Sequence, residues 1–302
     1  MAQVVTVFGA GASHGSQLAG GPPLGCDLLQ KLAAFEPVQW EWIAREYSDA
    51  FREDFEQGFA KVAESEPTRV TDLQKSMARY FHAFRPTPDN LYCELARRIA
   101  RCAPGWPGAL VTLNYEIMLQ SALLGAGLIC DYADGGRDIK LCVPHGSCYL
   151  FCDDVRMNPA VRLHWRVQID GPRIVALADP NKFARRIKGD AVPPVMSYYM
   201  EGKHTPSGAS FIAQQRARCK QLLANAEAVV VVGVALRRDD KHIWDPLAET
   251  NATVVYCSGE RAGKSFQEWA REARKERDSI DLKGYFADRF ADILGYLRLD
   301  GD

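Results

Sequence analysis

The sequence lacks the features that would place the protein at a membrane or on nucleic acid. Its 302 residues carry a net charge of −1 at pH 7, so no global field favours a polyanion or a lipid surface. No stretch approaches the ~18 consecutive apolar residues of a membrane span. The first residues have no basic start before their apolar run, which argues against a signal peptide. We therefore expect a cytoplasmic protein with no nucleic-acid or membrane partner.

Closely spaced cysteine pairs are also missing. The nine cysteines include no C-x-x-C pair, whereas a structural zinc site usually shows two such pairs. The tightest group is Cys142, Cys148 and Cys152, and residues such as Cys130 and Cys257 lie in apolar runs, where cysteine acts as a small hydrophobe. The sequence therefore predicts reduced thiols, as expected in the cytoplasm, with no zinc and no other metal site.

The most informative segment that is present reads VVTVFGAGAS, at residues 4–13. Its first five residues are typical of a buried parallel strand. Gly9 and Gly11 allow a sharp turn and the close approach of a pyrophosphate, with backbone N–H groups facing the phosphates. A G-x-G-x-x-G motif would require a third glycine where His14 stands, so an ordinary hydride-transfer site is not indicated. A tight turn that binds nothing is the open alternative.

Alternating strands and helices predict an α/β fold with a parallel sheet. We predict strands at 4–8, 109–113, 128–130, 139–143, 161–169, 174–177, 228–236 and 254–259, and helices at 211–225, 264–278 and 287–298. Apolar and aromatic residues at three- and four-residue steps predict a helical module at about 36–104, inserted between the first two strands. We interpret 1–302 as a single domain with a second insertion, of strand and loop, at about 150–210.

Three further segments fall outside the predicted carboxyl ends of strands, where an open α/β sheet binds ligands. TLNYE contains Asn114, PHGS contains His145, and VVGVALRRDD contains Gly233 followed by Asp239 and Asp240. Taken singly, each signal is weak, because a strand-end asparagine is often a turn residue or helix cap and an aspartate often starts a helix. A lone histidine is also more often structural than catalytic. The order of the segments along the chain adds the specificity.

That order resembles the sirtuin-like superfamily, which cleaves NAD at its nicotinamide–ribose bond, and within it the prokaryotic NAD hydrolases of antiviral defence. GAGAS at 9–13 is similar to the family's phosphate loop, TLNYE at 112–116 to its T-x-N segment and PHGS at 144–147 to its histidine motif. VVGVALRRDD resembles the G-x-S-type segment with its distal aspartate. The sequence departs from the family at Glu116, where relatives often have Asp, and at Ala235, which replaces a small hydroxyl residue. The landmarks cover nearly the whole chain.

The resemblance implies a Rossmann-like fold with NAD, as substrate, lying across the strand ends. It places Asn114 near the nicotinamide ribose and makes His145 the catalytic base. The residues that it implies at the dinucleotide are Gly9, Ala10, Gly11, Ala12, Ser13, Pro23, Thr112, Asn114, His145, Gly233, Val234, Ala235 and Asp240. Asp239 competes with Asp240 for contact with a ribose hydroxyl.

These residue types suit the cleavage of an N-glycosidic bond. Nicotinamide departs as a neutral molecule, so the main demand is to stabilise an oxocarbenium-like ribose. Asn114 can orient a ribose hydroxyl or water without titrating, and His145 can accept a proton near neutral pH.

Three functions stay open at this point. The first hypothesis is an NAD glycohydrolase that uses water as its nucleophile. The second is an NAD-dependent protein deacylase, although the four-cysteine zinc module usual in deacylases is missing from this sequence. The third is a non-catalytic subunit that binds NAD or ADP-ribose and docks a partner. The expected protein partner is a second copy of the chain or another component of a defence system.

Overall fold

The computed structural model describes residues 3–103, 105–136, 138–161, 163–164, 167–197, 205–237, 240–275 and 277–301. The strands are β1 (Gln3–Phe8), β2 (Ala109–Thr112), β3 (Cys130–Asp131), β4 (Ile139–Cys142), β5 (Leu150–Cys152), β6 (Ile174–Ala176), β7 (Ala226–Val232), β8 (Thr253–Cys257) and β9 (Ser279–Asp281). Seven of them form one sheet in the order β3-β4-β2-β1-β7-β8-β9, and every pairing in it is parallel. The expected α/β class with a Rossmann-like parallel sheet is confirmed.

Helices cover both faces of this sheet. They are α1 (Ala10–His14), α2 (Gly25–Phe35), α3 (Pro37–Glu46), α4 (Ser48–Glu53), α5 (Phe55–Ser65), α6 (Val70–His82), α7 (Leu91–Cys102), α8 (Met118–Gly125), α9 (Pro180–Gly189), α10 (Ala209–Ala224), α11 (Lys241–Glu249), α12 (Gly259–Trp269) and α13 (Phe290–Tyr296). A π-helical turn, Ala270–Arg274, follows α12. In the described part of the chain, no helix is both long and apolar enough to cross a membrane.

The central strand β1 shows why the sheet is buried on both faces. Val4 and Phe8 belong to one core cluster, which also contains the buried side chains of α3 to α7. Val5 and Val7 belong to a second cluster on the opposite face, with residues of α10 and α11. Successive side chains of a strand point to opposite faces, so a strand covered on both sides needs an uninterrupted apolar run.

The segment with the helical three- and four-residue pattern contains five helices, α3 to α7. Its aromatic side chains form helix core, as Trp40 and Phe59 are almost fully buried. Trp40 also donates its indole N–H to Ser76 Oγ at 2.8 Å. The treatment of this segment as an inserted module, and of 150–210 as a second insertion, stays an interpretation.

The strand expected at 161–169 is wrong for its described residues. Residues 161, 163–164 and 167–168 are irregular, and Ile169 makes only an isolated bridge to Ser207; residues 162 and 165–166 lie outside the described part. Alternating apolar residues suggested a strand, but Val161 and Val167 are exposed and no neighbouring strand supplies a ladder for them. The strand expected at 174–177 is present as β6, which pairs antiparallel with β5 in a separate two-stranded sheet.

Candidate active site

The candidate site lies at the carboxyl ends of β1, β2, β4 and β7. From β1, the chain builds the sheet outward on one side through β2 and β4 and then on the other side through β7 and β8. Such a reversal of strand order leaves a crevice outside the carboxyl ends, where open α/β sheets bind ligands. Gly9 follows β1 and Gly233 follows β7, so the two glycine segments meet at this reversal.

The glycines are required because two backbones touch. Gly9 N–H donates to the Val232 carbonyl at 2.9 Å, and Gly11 N–H donates to the Gly233 carbonyl at the same distance. A Cβ added at Gly9 would lie 2.6 Å from the Gly233 oxygen, and one at Gly233 would lie 1.9 Å from Ala12 N. This packing accounts for the glycines without any ligand, so their proposed role at a pyrophosphate stays a prediction.

Only part of the following helix α1 is accessible from outside the protein. Ala10 is exposed and Gly11 is half-buried, whereas Ala12 and Ser13 are buried. Ala12 N–H donates to the Gly9 carbonyl at 3.0 Å. Of the loop residues expected at the dinucleotide, Ala10 and Gly11 therefore have the surface that a ligand could touch.

Asn114 follows β2 and is held against the glycine turn. Its backbone N–H donates to Thr112 Oγ1 at 3.2 Å, so the threonine expected at the site fixes the turn. The carboxamide Nδ2 donates to the Gly9 carbonyl at 3.0 Å and to Ser13 Oγ at 2.8 Å. Asn114 is buried, and these bonds unite the first and second segments of the sequence prediction.

Ser13 connects Asn114 to a buried carboxyl group. Ser13 Oγ donates to Glu116 Oε1 at 2.5 Å, lies 3.0 Å from Tyr92 Oη and accepts from Asn114 Nδ2. These three contacts use the one donor and the two acceptor positions of the hydroxyl. Burial raises the pKa of Glu116, while the hydrogen bonds from Ser13 and from the Met118 backbone N–H oppose that shift. Glu116 thus positions Ser13. The sequence reasoning had noted it only as a departure from the family pattern.

His145 lies at the turn after β4 and contacts the backbone at the end of β2. Its Nδ1 is 3.2 Å from the carbonyl of Leu113, the residue before Asn114. Because a carbonyl can only accept, Nδ1 carries the proton and Nε2 is the basic nitrogen. Gly146, at φ +77°, permits the turn, since a Cβ there would lie 2.0 Å from the Val195 carbonyl oxygen.

A residue of the candidate site that the sequence analysis did not single out is His242, near the start of α11. Its Nε2 lies 2.8 Å from His145 Nε2, which makes His242 the donor to the basic nitrogen of His145. Its position two residues after Asp240, at a helix start, was the available signal. Asp240, His145 and His242 each present one potential ligand atom, all within 4.8 Å of one another. Two imidazoles and a carboxylate are a donor set that suits zinc and other divalent transition metals.

The other predicted residues take up different positions. Val234 is buried, and its carbonyl accepts the Tyr256 hydroxyl at 2.5 Å. Ala235 is exposed in the loop after β7, and Asp240 is buried at the N-terminus of α11; Asp239 lies outside the described residues. Pro23 is half-buried in the loop before α2, and no hydrogen bond among the described residues ties it to the Asn114 group.

Comparison with known proteins finds similarity only among solved structures. No family model matches the chain, and no curated protein matches it. The chain is similar to a mutant Sir2 homologue in complex with ADP-ribose, at 13% identity and a TM-score of 0.46, covering 98% of this chain and 92% of that one. It is similar to a Sir2 homologue in complex with NAD, at 17% identity and a TM-score of 0.43, covering 90% of each chain. A second mutant ADP-ribose complex gives 14% identity and a TM-score of 0.47, with coverage of 98% and 92%.

All of these values are below 25% identity and below a TM-score of 0.5. The roles assigned to Asn114, His145 and their neighbours therefore rest on the contacts within this chain.

Proposed function

We propose that the protein is an NAD glycohydrolase, which breaks the nicotinamide–ribose bond and releases nicotinamide and ADP-ribose. One observation carries the proposal: a buried carboxamide and a histidine are both held to the backbone just beyond the ends of the neighbouring strands β2 and β4, at the reversal point of a parallel sheet. Asn114 Nδ2 bonds the Gly9 carbonyl, and His145 Nδ1 bonds the carbonyl of Leu113, the residue before Asn114. A crevice at such a reversal point is where this class of sheet accepts a dinucleotide.

In the proposed reaction, the C1′–N bond breaks with its electron pair going to the pyridinium nitrogen, so nicotinamide leaves neutral. Water attacks C1′ of the oxocarbenium-like ribose, and its proton passes to His145 Nε2. His242 donates to this nitrogen at 2.8 Å, so that bond has to break before Nε2 accepts the proton of water. The bond from His145 Nδ1 to the Leu113 carbonyl keeps the imidazole oriented during this exchange. The Asn114 carboxamide, fixed by Gly9 and Ser13, presents its oxygen to a ribose hydroxyl or to the attacking water.

The direct test compares matched asparagine variants. The purified chain is incubated with NAD, and nicotinamide and ADP-ribose are separated by chromatography. We expect Asn114→Ala to lower turnover by about 100-fold or more, while Asn251→Ala, a change of the same kind at an exposed position, leaves turnover unchanged. Circular dichroism and thermal unfolding confirm that both variants fold. Full turnover in folded Asn114→Ala would contradict the assignment.

The same assay separates the deacylase alternative. A deacylase uses the oxygen of an acyl-lysine as its nucleophile, so its nicotinamide release requires an acylated peptide. A glycohydrolase releases nicotinamide at the same rate with and without the peptide. Release that appears only with the peptide would favour the deacylase.

A second candidate function, a non-catalytic subunit that binds NAD, is favoured by one observation. Both donor contacts of the Asn114 amide nitrogen are made within the protein, to Gly9 and Ser13, so this nitrogen is occupied before a ligand arrives. Calorimetric binding of intact NAD, with no nicotinamide released, would favour this function over hydrolysis.

A role in prokaryotic antiviral defence is proposed on the sequence resemblance alone. Bacteria that express the chain are expected to lose cellular NAD upon phage infection, whereas cells that express Asn114→Ala are expected to keep it. Equal NAD levels in the two strains after infection would contradict this role without affecting the activity proposed for the purified protein.

A further inference from the structure

A cavity of about 700 Å³ lies between α6 and α9. Its lining includes the cationic side chains of Lys75, Arg79, Arg85 and Lys188, and none of the residues that line it is acidic. The chain as a whole is close to neutral, with a net charge of −1, so this lining is more positive than the chain average. The volume is in the range of small-molecule sites.

Two of these cations lack an acidic partner among the described residues. Arg79 is paired with Glu36 at 2.6 Å. Arg85, by contrast, donates to the His82 and Phe84 carbonyls, the latter at 2.8 Å, and has no carboxylate within 4.0 Å in the described part. Burial lowers the pKa of Arg85. Lys188 is exposed near the end of α9 and likewise forms no ion pair with a described residue.

The remaining wall of the cavity is flat and uncharged. The rings of His82 and Phe183 stack with centroids 3.8 Å apart and an interplanar angle of 3°. His82 Nε2 lies 3.2 Å from the Leu177 carbonyl, and burial lowers the pKa of His82 to about 4, so the ring is neutral at pH 7. The exposed apolar side chains of Ala83, Pro180 and Ala184 complete this wall. An apolar surface next to unpaired cations suits a ligand with an apolar body and an anionic group.

We propose that this cavity is a binding site for a small organic phosphate. The phosphate accepts charge-assisted hydrogen bonds from the ammonium of Lys188, in a lining whose other cationic side chains include Arg79 and Arg85. The apolar or aromatic body of the ligand packs against the exposed side chains of Ala83, Pro180 and Ala184, which line the same cavity. This site is separate from the crevice that contains Asn114 and His145, and it does not depend on the activity proposed there.

The test is calorimetric titration of the full chain with three probes: phenyl phosphate, inorganic phosphate and phenol. We expect saturable 1:1 binding of phenyl phosphate, at least about tenfold tighter than inorganic phosphate, because only the ester also fills the apolar wall. Phenol, which has no anionic group, is expected to show no saturable binding. Absence of saturation by phenyl phosphate in the millimolar range would overturn the proposal.

Two charge reversals on the same helix locate the binding. Lys188→Glu is expected to weaken phenyl phosphate binding by about tenfold or more. Lys182→Glu, an equal charge change at another exposed position of α9, is expected to leave it nearly unchanged. Asn114→Ala is expected to retain binding, since it alters only the other crevice. Equal effects of the two lysine variants, or loss of binding in Asn114→Ala, would overturn the proposed location.

Discussion

Substitution of Gly233 by alanine tests whether the backbone contact at the reversal point holds the candidate site together. Gly233 has a φ of +64°, and a Cβ there would lie 1.9 Å from the backbone nitrogen of Ala12. The left-handed conformation costs alanine about 1–2 kcal/mol, and relief of the clash requires a backbone shift that adds about 1–3 kcal/mol. We expect Gly233→Ala to lower the free energy of unfolding by about 2–5 kcal/mol.

The matched control is Gly127→Ala. Gly127 has a φ of +80°, yet a Cβ there meets nothing within 4 Å, so this variant measures the conformational cost alone, about 1–2 kcal/mol. Denaturant unfolding gives both values, and their difference isolates the contact between the two glycine segments. NAD turnover is expected to fall in Gly233→Ala only. Equal destabilisation in the two variants would refute the contact.

Three further predictions concern titratable and charged side chains that are buried or half-buried. Burial raises the pKa of Glu116, so the folded protein holds a proton that the unfolded chain has already lost at the pH values just above the ordinary glutamate pKa. The free energy of unfolding therefore falls as pH rises through this interval. Glu116→Gln should remove this pH dependence, measured as the thermal unfolding midpoint at each pH. Burial lowers the pKa of His82 from 6.5 to about 4, so its contribution to the free energy of unfolding is complete above pH 6.5 and is lost as pH falls toward 4. His82→Gln should reduce the loss of stability between pH 6.5 and 4. Arg237 pairs with two acidic residues at the start of α5, at 2.7 and 3.1 Å. Arg237→Met should cost about 1–2 kcal/mol in denaturant unfolding, against at most about 0.5 kcal/mol for the exposed Arg52→Met.

The sheet was largely predictable because its strands are short, uninterrupted apolar runs. AVVVV within β7 and TVVYC in β8 have this composition, and both were expected as strands within a few residues of their bounds. The helices at 36–104 were predictable because aromatic residues recur at helical spacing. Their division into α3 to α7 depends on local caps such as Asp54, which accepts hydrogen bonds from the first N–H groups of α5.

The helix α9 escaped prediction because its buried face is partly charged. Phe183 and Ile187 are buried, but so is Arg186 between them, which pairs with Asp190 at 3.1 Å. In a hydrophobic pattern, an arginine indicates a surface position. The ion pair with Asp190 that allows Arg186 to be buried forms only in the folded chain. The strand β5 also depends on a distant partner, because its three residues form a ladder only with β6. The sequence analysis therefore missed it.

The candidate site was predictable in its strand-end residues and not in their partners. Asn114 and His145 follow apolar strands, so their position at one sheet edge could be inferred. The contact of His145 with His242 spans 97 positions of sequence. The touching backbones at Gly9 and Gly233 depend on the register of β1 against β7. Such contacts arise from the fold and leave no pattern in the local sequence.

The most direct measurement of the central claim is nicotinamide release from NAD by the purified protein alone, followed over time for the unmodified chain, His145→Ala and His164→Ala. His164 is an exposed histidine and serves as the matched control. We predict equal amounts of nicotinamide and ADP-ribose from the unmodified chain and from His164→Ala, with release nearly abolished in His145→Ala. Intact NAD with the unmodified chain, or undiminished release with folded His145→Ala, would contradict the proposal.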